Sequence, residues 1–244
     1  MINVTRPAGD KSQTPNSGGK LVFLLGSSLF LLVFLFVPQI GPIFRIHTIP
    51  ASSMAPGVNV GAYIYVSLAS YGYSRHSFEW LPLPVSGRIG GGIPARGDIV
   101  TFRTAHHGQW TTYVKRVIGL PGDRIQMIAG RLHINGKAAG RVGMPPIPRG
   151  TYSGASINIG QWRETLPNGV SYPILEMEGD KGMLDDTSVF EVPENHIFVM
   201  GDNRDNSSDS RVPSSSGGPG FVPIENIAGK VIGVWGGQMQ ANWR

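Results

Sequence analysis

One uninterrupted apolar block stands apart from the rest of the chain. Residues 21–37 are seventeen positions without a charge, dominated by Leu, Phe and Val. A helix of that length rises roughly 25 Å, and the uncharged run continues to Phe44 through Pro38 and Pro42. Beyond residue 45 the pattern changes. Short alternating runs dominate, at 62–66, 98–102, 112–118, 197–200 and 230–235, and no helical period persists beyond two or three turns. The pattern predicts an all-β fold built of antiparallel sheet, preceded by one transmembrane helix.

Composition sharpens that reading. Gly 34 and Pro 19 make up roughly a fifth of the 244 residues, which suits a turn-rich β protein rather than a helical one. Cysteine is absent, so disulfides, thiolate metal sites and thiol nucleophiles are excluded. The net charge of +5 is spread along the chain with no cluster of five or six basic residues. It therefore points to no nucleic-acid partner, and anionic lipid headgroups account for it equally well.

Residues 1–20 are polar and read as a disordered cytoplasmic tail, with Arg6, Lys11 and Lys20 against Asp10. The 21–44 segment reads as an uncleaved single-pass anchor, because Val37-Pro38-Gln39-Ile40 is a poor small-x-small cleavage site. The basic residues before it favour a cytoplasmic N-terminus, with the remainder outside; Arg45 blurs the asymmetry. The core is expected over 46–135 and 196–236, interrupted by a β-rich lobe at 136–195 where Pro, Gly and acidic residues accumulate, with a C-terminal tail at 237–244. The aromatic stretch 71–80 suits either a membrane interface or a satellite core cluster.

Candidate chemistry centres on residues 111–125, TTYVKRVIGLPGDRI. Strand alternation puts Tyr113, Lys115 and Val117 on one face and Val114, Arg116 and Ile118 on the other, before the Gly119-Leu120-Pro121-Gly122 turn. A lysine on an apolar strand face loses hydration, which lowers its pKa and makes it a candidate neutral base near pH 7. A surface lysine on an edge strand is the plain alternative. Upstream, Ile49-Pro50-Ala51-Ser52-Ser53-Met54 brackets a serine pair soon after the anchor. A serine hydroxyl needs a base to become nucleophilic. No G-x-S-x-G elbow and no Ser-His-Asp context is present, and the Ser-x-x-Lys spacing at Ser17 to Lys20 falls before the membrane segment. The acidic run 201–211, GDNRDNSSDSR, fails the EF-hand pattern, with Ser207 and Pro213 where Gly and a carboxylate belong. It reads as a loop of Asx turns in which Arg204 and Arg211 pair with carboxylates.

Together these stretches resemble the bacterial type I signal peptidase family, the Ser/Lys endopeptidases that remove signal peptides from exported preproteins. Ile-Pro-x-x-Ser-Met at 49–54, Arg-Gly-Asp at 96–98, YVKRVIGLPGD at 113–123 and GDNRDNSxDSR at 201–211 occur in the family's order behind an anchor. The resemblance implies a Ser53 nucleophile, a Lys115 general base and Ser207 orienting the lysine. It implies Asp209 and Arg211 as a structural pair in the loop, and Ile49, Tyr113 and Val114 as lining for the pockets that read a small-x-small site. It implies no metal or organic cofactor, preprotein signal peptides and the lipid bilayer as partners, and a monomer. The implied location is the bacterial cytoplasmic membrane, with the catalytic domain on the outer, periplasmic face.

One departure stands out. Ala51 replaces the Ser or Thr hydroxyl that the family usually places two residues before the nucleophile, in the oxyanion region. The backbone N–H of Ser53 remains, and Ser52 is a candidate substitute hydroxyl. A specialised processing peptidase with few substrates, a catalytically weak envelope protein of this fold, and a self-cleaving repressor are the alternatives; the last needs a DNA-binding module where this chain has an apolar segment.

Overall fold

The computed structural model describes residues 43–77, 84–106, 108–152 and 155–237, together with Ser28. The expected tail at 1–20, nearly all of the 21–44 anchor and the last seven residues lie outside the described residues, and among the described residues no helix is long and apolar enough to cross a membrane.

Among the described residues sixteen strands form in chain order: β1 Phe44–Thr48, β2 Tyr63–Ser67, β3 Tyr73–Ser74, β4 Arg88–Ile89, β5 Ile99–His106, β6 Gln109–Gly119, β7 Arg124–Ile128 and β8 Arg131–Ile134. They continue as β9 Lys137–Ala138, β10 Gly140–Tyr152, β11 Ala155–Thr165, β12 Ser171–Glu176, β13 Phe190–Glu191, β14 His196–Met200, β15 Val222–Pro223 and β16 Ile227–Trp235. The five alternating runs of the sequence correspond to β2, β5, β6, β14 and β16. The all-β expectation holds, and every pairing between named strands is antiparallel.

A seven-stranded sheet carries the order β1-β2-β16-β5-β6-β14-β15. Its central hairpin, β5–β6, is in register from Ile99↔Arg116 to His106↔Gln109 and sets Lys115 opposite Val100. On the other side of β6, β14 pairs Val199 with Val117 and Met200 with Arg116. The chain leaving β14 at Gly201 therefore starts beside the lysine. Strand alternation does the sorting: Tyr113 and Val117 pack with Phe102, Ile197 and Val199, whereas Val114 packs with Ile49, Met54, Ile64 and Ile99 and Ile118 joins a third cluster.

Beside this sheet lie a four-stranded sheet, β13-β7-β8-β9, and a three-stranded one, β10-β11-β12. Ile125, Met127, Leu132 and Ile134 from the first share a buried cluster with Tyr172 and Ile174 from the second, with Leu166 just after β11, and with Phe198 and Met200 of β14. Residues 124–134 and 140–176 thus bury their apolar faces together against the main sheet. Tyr71 is buried among Val100, Phe102 and Ile227, and its hydroxyl donates to Asp98 Oδ2 at 2.6 Å. At that position the core reading of the aromatic stretch is the one the packing fits.

Phe198 is the hub of the shared cluster, fully buried with its ring 5.1 Å from Phe190 and 6.1 Å from Phe221. Phe198→Ala is expected to lower unfolding free energy by about 3–5 kcal/mol, read from chemical denaturation of the purified protein.

Candidate active site

Ser53 sits in an excursion between β1 and β2 whose two ends are tied together. Ile49 N–H donates to the Ala62 carbonyl at 2.9 Å, and Gly61 N–H donates to the Ile49 carbonyl at 2.8 Å. Met54, Ala55 and Val58 are fully buried and pin the loop to the sheet. Within it Ala55 N–H donates to the Ser52 carbonyl at 3.0 Å, and Asn203 N–H donates to the Ser53 carbonyl at 3.1 Å. The serine turn is thereby held from below by its own apolar side chains and from the side by the 201–211 loop.

Against this turn stands Lys115. Its Nζ lies 2.6 Å from Ser53 Oγ, and the residue is 4% exposed. Burial pulls the amine down to about 8 from its ordinary 10.5; Asp209 and Asp202 pull it back up, and Arg211 pulls it down again. The desolvation expected from the strand pattern is therefore present, though it comes from the covering loops as well as from the strand face. The surface-lysine alternative fails on that burial.

The 201–211 loop is built from buried ion pairs. Arg211 binds Asp209 in a fork, with Nε 2.9 Å from Oδ1 and Nη2 2.9 Å from Oδ2, and both side chains are buried. Burial pushes the Asp209 carboxyl up, but the Arg211 guanidinium outweighs this and holds it below the usual carboxylate range. Asp209 Oδ2 also accepts from Gly201 N–H at 3.0 Å. Gly201 admits no side chain. A Cβ there would stand 2.3 Å from Ser207 Oγ and 2.4 Å from the Ser53 carbonyl oxygen. Ser207 is thus packed against the Ser53 backbone across a glycine, its Oγ buried and turned to the Asp209 carboxylate, which it helps hold low. The expected bond from Ser207 to the lysine amine is not formed in this arrangement.

Two features of the site lay outside the sequence reading, and Arg204 finds its expected carboxylate outside the loop. Arg116, on the strand face opposite Lys115, makes a buried fork with Asp202 at 2.7 and 2.6 Å and stacks 3.9 Å over the Tyr172 ring. Arg204 pairs with Glu164 of β11, whose carboxylate also accepts from the Tyr172 hydroxyl at 2.6 Å. Asn206 donates through Nδ2 to Ser52 Oγ at 2.7 Å, and Asn203 donates to the Ser52 carbonyl at 3.3 Å. The sequence carried one signal for the first, an arginine alternating with the lysine. It carried none for the partners, which lie between 40 and 154 residues away.

A cleft of about 570 Å³ opens over the pair, walled by Ile49, Val60, Tyr113 and Val114 and floored by Ala51, Ser52, Ser53 and Lys115, with Asn206 and Ser208 at its side. All three residues expected in the pockets lie in it. A hydroxyl facing a desolvated amine, at one end of an apolar groove beside sheet edges, is the arrangement of a serine hydrolase acting on an extended peptide.

Comparison with known proteins gives the same class. The family profile described as signal peptidase, peptidase S26, matches residues 21–235. The chain is 38% identical over 226 residues to a protein named signal peptidase I from Rickettsia massiliae, covering 89% of this chain and 77% of that one. It is 40% identical over 216 residues to the signal peptidase I of Rickettsia typhi, covering 83% and 77% respectively. A solved signal peptidase I from Enterococcus faecalis aligns with 57% of this chain and 96% of its own, at 26% identity and a TM-score of 0.30. The chain belongs to the signal peptidase family, peptidase S26, and is a serine endopeptidase.

Burying an amine that prefers water has a consequence for stability. A folded-state pKa below the ordinary 10.5 means the penalty is fully present below pH 8 and fades as pH rises from 8 to 10.5. Lys115→Met is expected to raise stability at pH 7 by up to about 3 kcal/mol, with the gain shrinking toward pH 10, as read by thermal unfolding across that range.

Proposed function

We propose that the protein removes N-terminal signal peptides from exported preproteins, cutting after a small-x-small site with Ser53 as nucleophile and Lys115 as general base. The observation that carries this reading is the 2.6 Å contact between Ser53 Oγ and an amine buried enough to be neutral near pH 8. With Nζ neutral, the serine hydroxyl donates to it. The proton moves to Nζ as Oγ attacks the scissile carbonyl, and the ammonium so formed returns it to the departing amine. A water entering the vacated place gives its proton to the same amine and hydrolyses the acyl-enzyme. Ser207 is the residue assigned to orient Lys115. Its buried position supports this, packed across Gly201 from the Ser53 carbonyl and beside Asp209, whose charge acts on the amine.

Substrate choice follows from the shallow apolar cleft, where Ile49, Tyr113 and Val114 leave room for small side chains upstream of the cut. Anchoring through residues 21–44 fits the start of β1 at Phe44, directly after the apolar run. It also fits the exposed Tyr63 and Tyr65 on β2, beside β1, and Val234 and Trp235 on β16 beyond it, which suit the interface of a bilayer. A catalytic domain held on the outer face would meet substrates whose own apolar segments share the membrane, which raises their local concentration.

The test is cleavage of an Ala-x-Ala preprotein by the detergent-solubilised full chain. Ser53→Ala and Lys115→Ala are each expected to lose at least about 10³-fold in kcat/KM. In the parent protein kcat/KM is expected to rise about tenfold per pH unit up to pH 8 and then level off, because only the neutral amine serves as base. A flat profile from pH 5 to 10, or activity surviving in either variant, would displace the dyad.

Ser52 supplies the oxyanion donor that Ala51 lacks. Its Oγ accepts from Asn206 Nδ2, which leaves its own proton free to point toward the substrate oxygen. Ser52→Ala is expected to lower kcat about 10²–10³-fold. If turnover is instead unchanged while Ala51→Ser raises it, Ser52 plays no such part.

A further inference from the structure

Away from the cleft, three carboxylates converge from separate stretches of chain. Glu176 ends β12, Asp185 lies in the 177–189 connection and Asp205 belongs to the 201–211 loop, with one oxygen of each within 4.8 Å of the others. Two of the three are already half committed. Asp205 Oδ2 accepts from Met177 N–H at 2.5 Å and Glu178 N–H at 2.8 Å, and Asp185 Oδ2 accepts from Gly182 N–H at 2.5 Å. Asp185 Oδ1 and both oxygens of Glu176 are buried and have no hydrogen-bond partner, and the Glu176 side chain is 0% exposed.

Such a group is costly as it stands. A buried carboxylate needs a proton, a donor or a cation, and like charges this close cannot all remain ionised alone. Arg141 is the nearest cation, but its Nη1 is committed to Asp180 Oδ1 and the Gly130 carbonyl. Its Nη2 makes only a long ion pair with Glu176 Oε1, at 3.9 Å, and forms no hydrogen bond to it, so neither group is satisfied by the other. Gly182 keeps the space open: a Cβ there would lie 2.7 Å from Asp205 Oδ1 and 3.1 Å from Asp185 Oδ2.

We propose that Glu176, Asp185 and Asp205 bind a calcium ion that cross-links the end of β12, the 177–189 connection and the loop carrying Asn206 and Ser207. The donor set is all oxygen and strongly negative, which selects a hard cation over zinc or copper. Oxygens on opposite sides of calcium stand about 4.6–5.2 Å apart, so the three carboxylates accommodate it almost as placed. Asp205 is the part of this centre that the failed EF-hand pattern concealed, because its partners come from distant chain rather than from the same loop. The ion lies outside the cleavage chemistry, so the role is structural.

The test uses the full detergent-solubilised chain stripped of metal and titrated with calcium by calorimetry, with magnesium as the comparison. One calcium per chain is expected, with a Tm rise of about 5–10 °C at a hundredfold excess over the dissociation constant and a smaller rise with magnesium. Glu176→Gln and Asp185→Asn are each expected to abolish that rise, and without metal Glu176→Gln should unfold no earlier than the parent. Preprotein cleavage at 25 °C is expected to stay within twofold on chelation. Absence of calcium binding to the parent, with Tm unmoved at millimolar calcium, would overturn the site and leave Arg141 as the counter-charge. A Tm rise that persists in both variants would overturn it too, as would cleavage abolished by a chelator at 25 °C.

Discussion

An amine out of water, 2.6 Å from a hydroxyl, is the contact around which the rest of this molecule is arranged. Water would keep Lys115 protonated at neutral pH. Only burial lowers its pKa, and burial requires that several elements close over one strand. The Ser53 loop, the 201–211 loop and the β5 neighbour do so together. The stability that the folded chain forgoes there is the condition for an amine that loses its proton near pH 8.

Two carboxylates close enough to raise the amine's pKa must themselves be neutralised, and arginines on the same loop and strand do this. Asp209 is forked by Arg211 and Asp202 by Arg116. Arg116 and Lys115 are adjacent in sequence yet serve opposite ends of the problem, because alternation turns one into the serine site and the other into the clamp beneath it. Tyr172 and Glu164, both buried, extend the clamp from Arg116 and Arg204 into the 140–176 sheet. That sheet also pairs directly with the loop, through Leu175 N–H to the Asp202 carbonyl and Arg204 N–H to the Leu175 carbonyl. A region without catalytic residues of its own therefore bears on the position of Ser207, Asn206 and the Ser53 carbonyl.

The proposed calcium centre belongs to the same logic. The charged side chains that shape the site are drawn inside, and each buried charge demands a counter-charge. Where arginine reaches closely, a fork forms; where Arg141 makes only a long 3.9 Å ion pair with Glu176, the proposed cation would complete the set. Ala51 leaves the turn one hydroxyl short, and on the proposed reading Ser52, held by Asn206, stands in for it.

Much of this was legible in the chain itself. Period-two alternation located the five main strands and the opposite orientations of Lys115 and Arg116, because side-chain direction along a strand is a local property. Short motifs named Ser53, Lys115, Ser207, Asp209 and Arg211, and the pairing of Asp209 with Arg211, two residues apart, needed no tertiary knowledge. Other features were settled only by folding. The partners of Arg116, Arg204 and Ser52 are 86, 40 and 154 residues distant, and Glu176, Asp185 and Asp205 meet only because β12 docks beside the loop. Ser207 shows the same divide. Its motif gave it a role, but the sheet and Gly201 decide what its hydroxyl faces. Sequence determines which way a side chain points along its own strand; what it meets there depends on strand order, and strand order is set by burial summed over the whole chain.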